Sequence, residues 1–464
     1  MMIDNSGFNK GNPRPFLKVL IEEKNTQKRR RGKMKTKNHT LSCYQYCNRV
    51  YDLIQKLEQI EDKRVHPSVK LPTVILVNLF SLMSGLHNFK TMEDAINDGD
   101  FDEFFENTNL PSADTISYAL KHADLDDLRQ IAVDTIQKAR YNKSLNANTI
   151  DGLKVVAIDG SNVFSMESER LGKNAHKYEH NEGKSIKYHE KMIAASYVGE
   201  GFAPILKMER IEAGEGELNA AKKLVRSLNR DHHQYCDVIV ADSLYINAPF
   251  INTCIRNNKD VVVRVKQENN LIKDAEGLTK NRKPDHIYEG INPGDEERTT
   301  GTFYDLKIWD EENFNWSDVD KPLRVLKVEE RKKVVNKDRE IVKEETTTHY
   351  FATTMEKIQL KALTAWKIAH RRWDEENSVF HWLKTHWNFD HVFSSDPHVI
   401  QAMYYVYLIA YNLFHLYIYR NLRTFDFKKD TKKIFLRRFY RGIIRLNEPL
   451  YYPCLLYTSP SPRD

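Results

Sequence analysis

Five short stretches decide the fold: KVVAID (154–159), KMIAASYV (191–198), PILKMERI (204–211), CDVIVAD (236–242) and DVVVRV (260–265). Each is a mostly apolar run of strand length, and 154–159, 236–242 and 260–265 are rich in β-branched residues. Gly214-Glu215 marks a turn after the third, and ELNAAKKLVRSLNR (217–230) then carries apolar residues at helical spacing. A further helix is expected at about 246–257. The order is strand, strand, strand, helix, strand, helix, strand. Its first half suggests an antiparallel meander, and its second half right-handed crossovers onto parallel strands.

Working outward, residues 267–352 are polar and charged, with short alternating pieces such as LRVLKVEERKKVV, and are expected to form a β-rich insertion. Helical periodicity returns from about 359, through KALTAWKIAHRRWDEENSVFHWLKTHW. The longest apolar run, QAMYYVYLIAYNLFHLYIY (401–419), has membrane length, but Gln401, Asn412 and His415 interrupt it. A buried globular helix is expected there, and no membrane partner. Residues 40–145 also suggest helices: KLPTVILVNLFSLMSG closes at Gly85, and Ser112 and Asp114 offer caps before the repeat that follows. Short helices beside basic segments fit a DNA-recognition domain, and nearly as well a plain bundle.

At 464 residues the chain is long enough for two or three domains of roughly 100–200 residues. With 41% hydrophobic and 29% charged residues it is core-forming, neither disordered nor collagen-like. Five cysteines, odd in number and irregularly spaced, make no disulfide framework. The chain lacks the apolar segment of a signal peptide near its start, so a reducing, cytoplasmic location is expected. Cys43-x-x-x-Cys47 and His232-His233…Cys236 each resemble half a zinc site but lack a second half. Ordinary thiols and histidines are expected there.

The net charge of +6 is unevenly spread. Residues 24–37 hold eight basic residues, Lys28, Arg29, Arg30 and Arg31 among them, and no acid. Residues 420–445 hold ten basic residues against Asp426 and Asp430, interleaved with aromatics. Two basic blocks around a near-neutral centre point to a polyanion partner. The last eleven residues, CLLYTSPSPRD (454–464), have no periodicity. They resemble the translation of a sequencing-library adapter, so the natural C-terminus is expected to be missing.

Two carboxylates end predicted strands: Asp159 in VVAIDGSN and Asp242 in VIVADSLY. An Asp at the end of a hydrophobic strand is a costly neighbour for the core unless it reaches water, a partner or a metal. Each alone has an ordinary reading as a turn former. Two on strands that this topology places side by side suggest a shared site. A third acid is expected from the helix after the insertion, where Phe380, Leu383 and Trp387 share one face. Four-residue steps back from Phe380 reach Glu376 and Arg372, whereas Glu375 lies about 100° round. A structural ion pair is the competing reading. Three hard oxygen ligands make a Mg²⁺ or Mn²⁺ site.

VVAIDGSN, ADSLY and RRWDEENSVFHWLKTHWNFDH together resemble the DDE transposases of bacterial insertion sequences, specifically the "insertion sequence four" group, over about residues 70–425. The resemblance implies an α/β fold: a ribonuclease H-like mixed sheet with flanking helices, a β-rich insertion and an N-terminal α-helical domain. It implies Asp159, Asp242 and Glu376 as a triad holding two divalent ions. It also implies double-stranded DNA (terminal inverted repeats and target) as partner, and a homodimer on that DNA. The group's signature is Y-x-x-R-x-x-x-E-x-x-x-x-x-x-K. Arg372 and Glu376 match it, but Ala369 stands at the Tyr position and Lys384 falls one residue late. Arg372 and Lys384 are expected to hold phosphates, with His370 or Tyr245 in place of the missing Tyr. Trp309 and Trp316 are candidates for stacking on a flipped base. The expected divisions are a basic tail (1–39), a helical DNA-binding domain (40–150), the catalytic core (151–266 and 353–425), the insertion (267–352), a basic C-terminal segment (426–453) and the adapter-like end (454–464). A metal-dependent nuclease of the same fold and an inactive DNA-binding remnant are the alternatives.

Overall fold

The computed structural model describes residues 38–444, apart from 106–107, 147–148, 168–174, 181–184, 200–201, 267–268, 293–300, 337, 339, 375–378 and 422–431. Glu375, Glu376, Lys28, Arg29, Arg30, Arg31 and the adapter-like end lie outside the described residues.

Among the described residues six helices come first: α1 (His39–Tyr51), α2 (Leu53–Leu57), α3 (Leu71–Met83), α4 (Phe89–Asn97), α5 (Ala113–His122) and α6 (Leu125–Tyr141). Ser112 caps α5 as expected, accepting from Thr115 N–H, whereas Asp114 sits in the first turn and Asp124 caps α6. The first sheet elements and their helices follow: β1 (Val155–Met166), β2 (His176–His180), β3 (Ser185–Val198), β4 (Ile205–Ile211), α7 (Glu217–His232), β5 (Val238–Ala241), α8 (Ala248–Arg256) and β6 (Asp260–Val265). β3 pairs antiparallel with β1 and β4, while β5 and β6 run parallel to β1. This is the ribonuclease H-like arrangement. β1 and β3 run well past their apolar cores into polar sequence, and β2 adds to the far end of β3.

The insertion supplies α9 (Asn270–Thr279), β7 (His286–Ile291), β8 (Gly301–Phe314), β9 (Leu323–Val335) and β10 (Ile341–Thr353). It does not stand apart. β10 pairs with β6, so one ten-stranded sheet runs β2-β3-β1-β5-β6-β10-β9-β8-β7, with β4 also on β3. Buried Arg324 and Asp310 lock β9 to β8 through a bidentate pair at 2.7 Å.

Helices α10 (Ala362–Asp374), α11 (His381–Trp387), α12 (Pro397–Asn421) and α13 (Lys432–Ile444) complete the described chain. Helix α10 packs Ala365, Trp366 and Ile368 on one sheet face with Val240, Val262 and Leu326. Helix α12 is long and apolar enough to cross a membrane, but nearly all of its apolar length is buried inside the protein. Its polar interruptions have a structural use. Asn412 accepts from Ile205 N–H at 3.0 Å and donates to Ile205 C=O at 2.7 Å. Gln401 accepts from Arg210 N–H and donates to Met208 C=O. The helix thereby satisfies the edge of β4 as a neighbouring strand would. We expect Asn412→Leu to orphan two buried backbone groups and to lower stability by about 2–4 kcal/mol, measured by urea denaturation.

One continuous core joins α1–α6, α12, α13 and the sheet. Residue 150 therefore marks a change of secondary structure, not a break in packing. Phe435 and Phe439 of α13, two of the aromatics that lie among the basic residues of 420–445, are core residues. Thr40 of α1 donates to Phe439 C=O.

Candidate functional site

β1 and β5 pair in parallel through Val155↔Val238, Val156↔Ile239 and Ala157↔Val240. Asp159 follows two residues after the last β1 partner, and Asp242 two after the last β5 partner. Both carboxylates thus emerge at the same end of adjacent strands, on the side-chain parity of Ala157 and Val240, which faces α10. The turns fix them locally. Gly160 N–H donates to Asp159 Oδ1 at 3.0 Å, and Leu244 N–H donates to Asp242 Oδ1 at 2.8 Å, capping a single turn at 243–245.

Helix α10 brings Arg372 to this end, its Nη1 3.6 Å from Asp159 Oδ2, both side chains largely buried. Lys384 of α11 reaches β1 from the other side, donating to Ser161 Oγ at 2.9 Å and to Asn162 C=O at 3.0 Å. Between α10 and α11, Val379 and Phe380 are wound as π-helix. A π-turn absorbs one extra residue. That is the length by which Lys384 falls late in the sequence signature, so the extra residue and the π-turn coincide.

The remaining candidates divide. Tyr245 is fully buried and donates its hydroxyl to Glu217 Oε1 at 2.8 Å. It has no exposed surface for a phosphate, which corrects the sequence expectation. Burial first, then the carboxylates of Glu217, Asp159 and Asp242, hold its phenol well above its ordinary pKa. It remains a proton donor at any working pH. His370 packs between Tyr304 and Trp366, and burial pushes its pKa down to about 4, so it is neutral. Ala369, at the signature's Tyr position, borders a small cleft with Arg264, His349, His370 and Arg372. Trp309 donates to Arg282 C=O and lies under Lys327, and Trp316 packs partly buried against the core. Cys43 and Cys47 are buried on α1 with their sulfurs 3.8 Å apart, and Cys236 is buried too.

Glu217 was not singled out from sequence. It opens α7 and lies against Gly160, the residue after Asp159. An acid in the first turn of a helix is ordinary. The one available signal was the glycine directly after a strand-end Asp.

Among the described residues no three His, Cys, Asp or Glu side chains gather closely enough to hold a metal ion. The donors present do suit a hard divalent cation: two carboxylates on adjacent strand ends, held by backbone N–H groups, with a guanidinium balancing one of them. The family model described as the transposase DDE domain matches residues 151–413, more than half of the chain. No curated protein matches it.

Proposed function

The chain belongs to the transposases with a DDE domain, and we propose that it cuts DNA at the ends of a mobile element and joins the cut ends to target DNA. The observation that supports this reading is the parallel β1–β5 pairing, which ends two residues before Asp159 and Asp242 on adjacent strands, with Arg372 beside Asp159. On the R-x-x-x-E spacing and the strand insertion, we assign it to the "insertion sequence four" group. Asp159, Asp242 and Glu376 would hold two Mg²⁺ or Mn²⁺ ions, which when bound activate the attacking water or 3′-hydroxyl and stabilise the leaving oxygen.

The chain's own residues have the complementary tasks. Arg372 neutralises Asp159 before substrate arrives and offers a planar fork to a phosphate beside it. Lys384, which donates to Ser161 and Asn162 in the DNA-free chain, would hold a phosphate or the flanking strand. Affinity for duplex DNA comes from the basic blocks, and a homodimer places one site at each element end. The protein works on cytoplasmic, nucleoid DNA.

The experiment is Mg²⁺-dependent cleavage of duplexes carrying the inverted repeats that flank the reading frame. Cutting at the repeat, abolished by EDTA, supports the reading, and binding without cutting identifies an inactive remnant. Deleting residues 1–37, which leaves the Asn38 cap of α1 in place, is expected to weaken binding. It should also flatten the plot of log K against log salt by about 0.9 per lost phosphate contact. An unchanged slope would remove the tail from the interface.

A further inference from the structure

The β1–β5 ladder ends before either aspartate. Its last pair is Ala157↔Val240, so nothing in that ladder fixes the gap between Asp159 and Asp242. On its other side β1 continues to pair with β3 through Asp159↔Ala194 and Gly160↔Ile193, which anchors β1 but not Asp242. A site that depends on the spacing of two carboxylates needs another tie.

Glu217 is placed to supply it. A Cβ built on Gly160 would fall 2.6 and 2.7 Å from the two Glu217 oxygens, well inside contact distance. The carboxylate therefore occupies the space of a side chain at position 160. Gly160 is not in the left-handed region, so glycine is required there for close approach rather than for conformation. On its other side Glu217 accepts the hydroxyl of Tyr245. Tyr245 is fully buried and closes the turn that Asp242 caps. A line of direct contacts thus runs from the backbone beside Asp159, through Glu217, to the turn headed by Asp242.

We propose that Glu217 is a positioning residue, and that with Tyr245 it forms a strut setting the separation of Asp159 and Asp242. This rests on the reading of those two aspartates as catalytic. A first-turn acid serving only the helix dipole would need no buried phenol and no glycine opposite it. The strut needs both. It acts through a hydrogen bond and through volume, so an amide at position 217 can replace the carboxylate and an alanine cannot.

The test compares Tyr245→Phe, Glu217→Ala, Glu217→Gln, Gly160→Ala and the Gly160→Ala/Glu217→Ala double variant in the full chain, with Asp159→Asn alongside. Three quantities are measured: single-turnover cleavage of repeat DNA, Mn²⁺ affinity of the DNA-free protein by calorimetry, and the metal-free thermal midpoint. Tyr245→Phe and Glu217→Ala are expected to slow cleavage about tenfold to a hundredfold and to weaken Mn²⁺ binding, with KM for DNA nearly constant. Glu217→Gln should recover most of both losses. Gly160→Ala should lower the thermal midpoint, and adding Glu217→Ala should restore it, because the double variant removes the collision. Wild-type Mn²⁺ affinity and rate in Glu217→Ala would overturn the strut. So would a Glu217→Gln variant as impaired as Glu217→Ala, since charge rather than position would then matter. Normal cleavage by Asp159→Asn would instead overturn the catalytic reading itself.

Discussion

Asp159→Asn and Asp242→Asn are each expected to lower Mg²⁺-dependent cleavage by about a thousandfold or more, roughly 4 kcal/mol of lost transition-state stabilisation. Each substitution keeps the shape and the Oδ1 acceptor that takes the turn N–H, so the local fold should hold. What it removes is a negative charge at a strand end whose neighbour carries the other. DNA affinity measured without metal should stay near wild type, because the basic blocks supply it and not the carboxylates. Cleavage in Mg²⁺ and filter binding in EDTA, made on the same preparations, check the pair of expectations. A variant that cuts at near wild-type rate loses its place in the site.

The second large effect separates two adjacent acids. Glu376→Gln is expected to abolish cleavage, while Glu375→Gln cuts within about threefold of wild type. Helical phase from the Phe380 stripe is not a safe guide, because the π-turn at Val379 and Phe380 shifts the register between that stripe and α10. Arg372 is the better anchor, since it lies on α10 itself and touches Asp159. If 3.6 residues per turn held past Asp374, the last residue of α10, a four-residue step would return to within about 40° of Arg372 and a three-residue step to about 60° on the other side. The difference favours Glu376, and the R-x-x-x-E spacing agrees. Single-turnover rates of the two variants decide it, and an active Glu376→Gln with a dead Glu375→Gln would reverse the assignment.

Much of this was legible in the sequence because it rests on local pattern. The apolar runs ending in Asp159 and Asp242 needed no tertiary information, and the strand and helix order left few topologies to consider. What was not legible depends on partners distant in the chain. The outer halves of β1 and β3 are polar, so periodicity could not extend those strands beyond their apolar cores. The union of β10 with β6 joins residues about 90 apart, and nothing in either strand announces the other. Tyr245 looked available for phosphate because it follows Asp242. Burial by α7 and α8 decides otherwise, and only the fold reveals its acceptor, Glu217. Gln401 and Asn412 looked like flaws in an apolar helix, yet they complete the edge of β4.

Strand joining is the most direct test of the claim that this is a transposase site. A labelled, pre-cut repeat end with a free 3′-hydroxyl is incubated with supercoiled plasmid, Mg²⁺ and either the wild-type protein or Asp242→Asn. The wild type is predicted to link the label covalently to the plasmid, and the variant and an EDTA control to leave it free. Repeat ends that the wild type cuts but never joins would contradict the claim and leave a metal-dependent nuclease in its place.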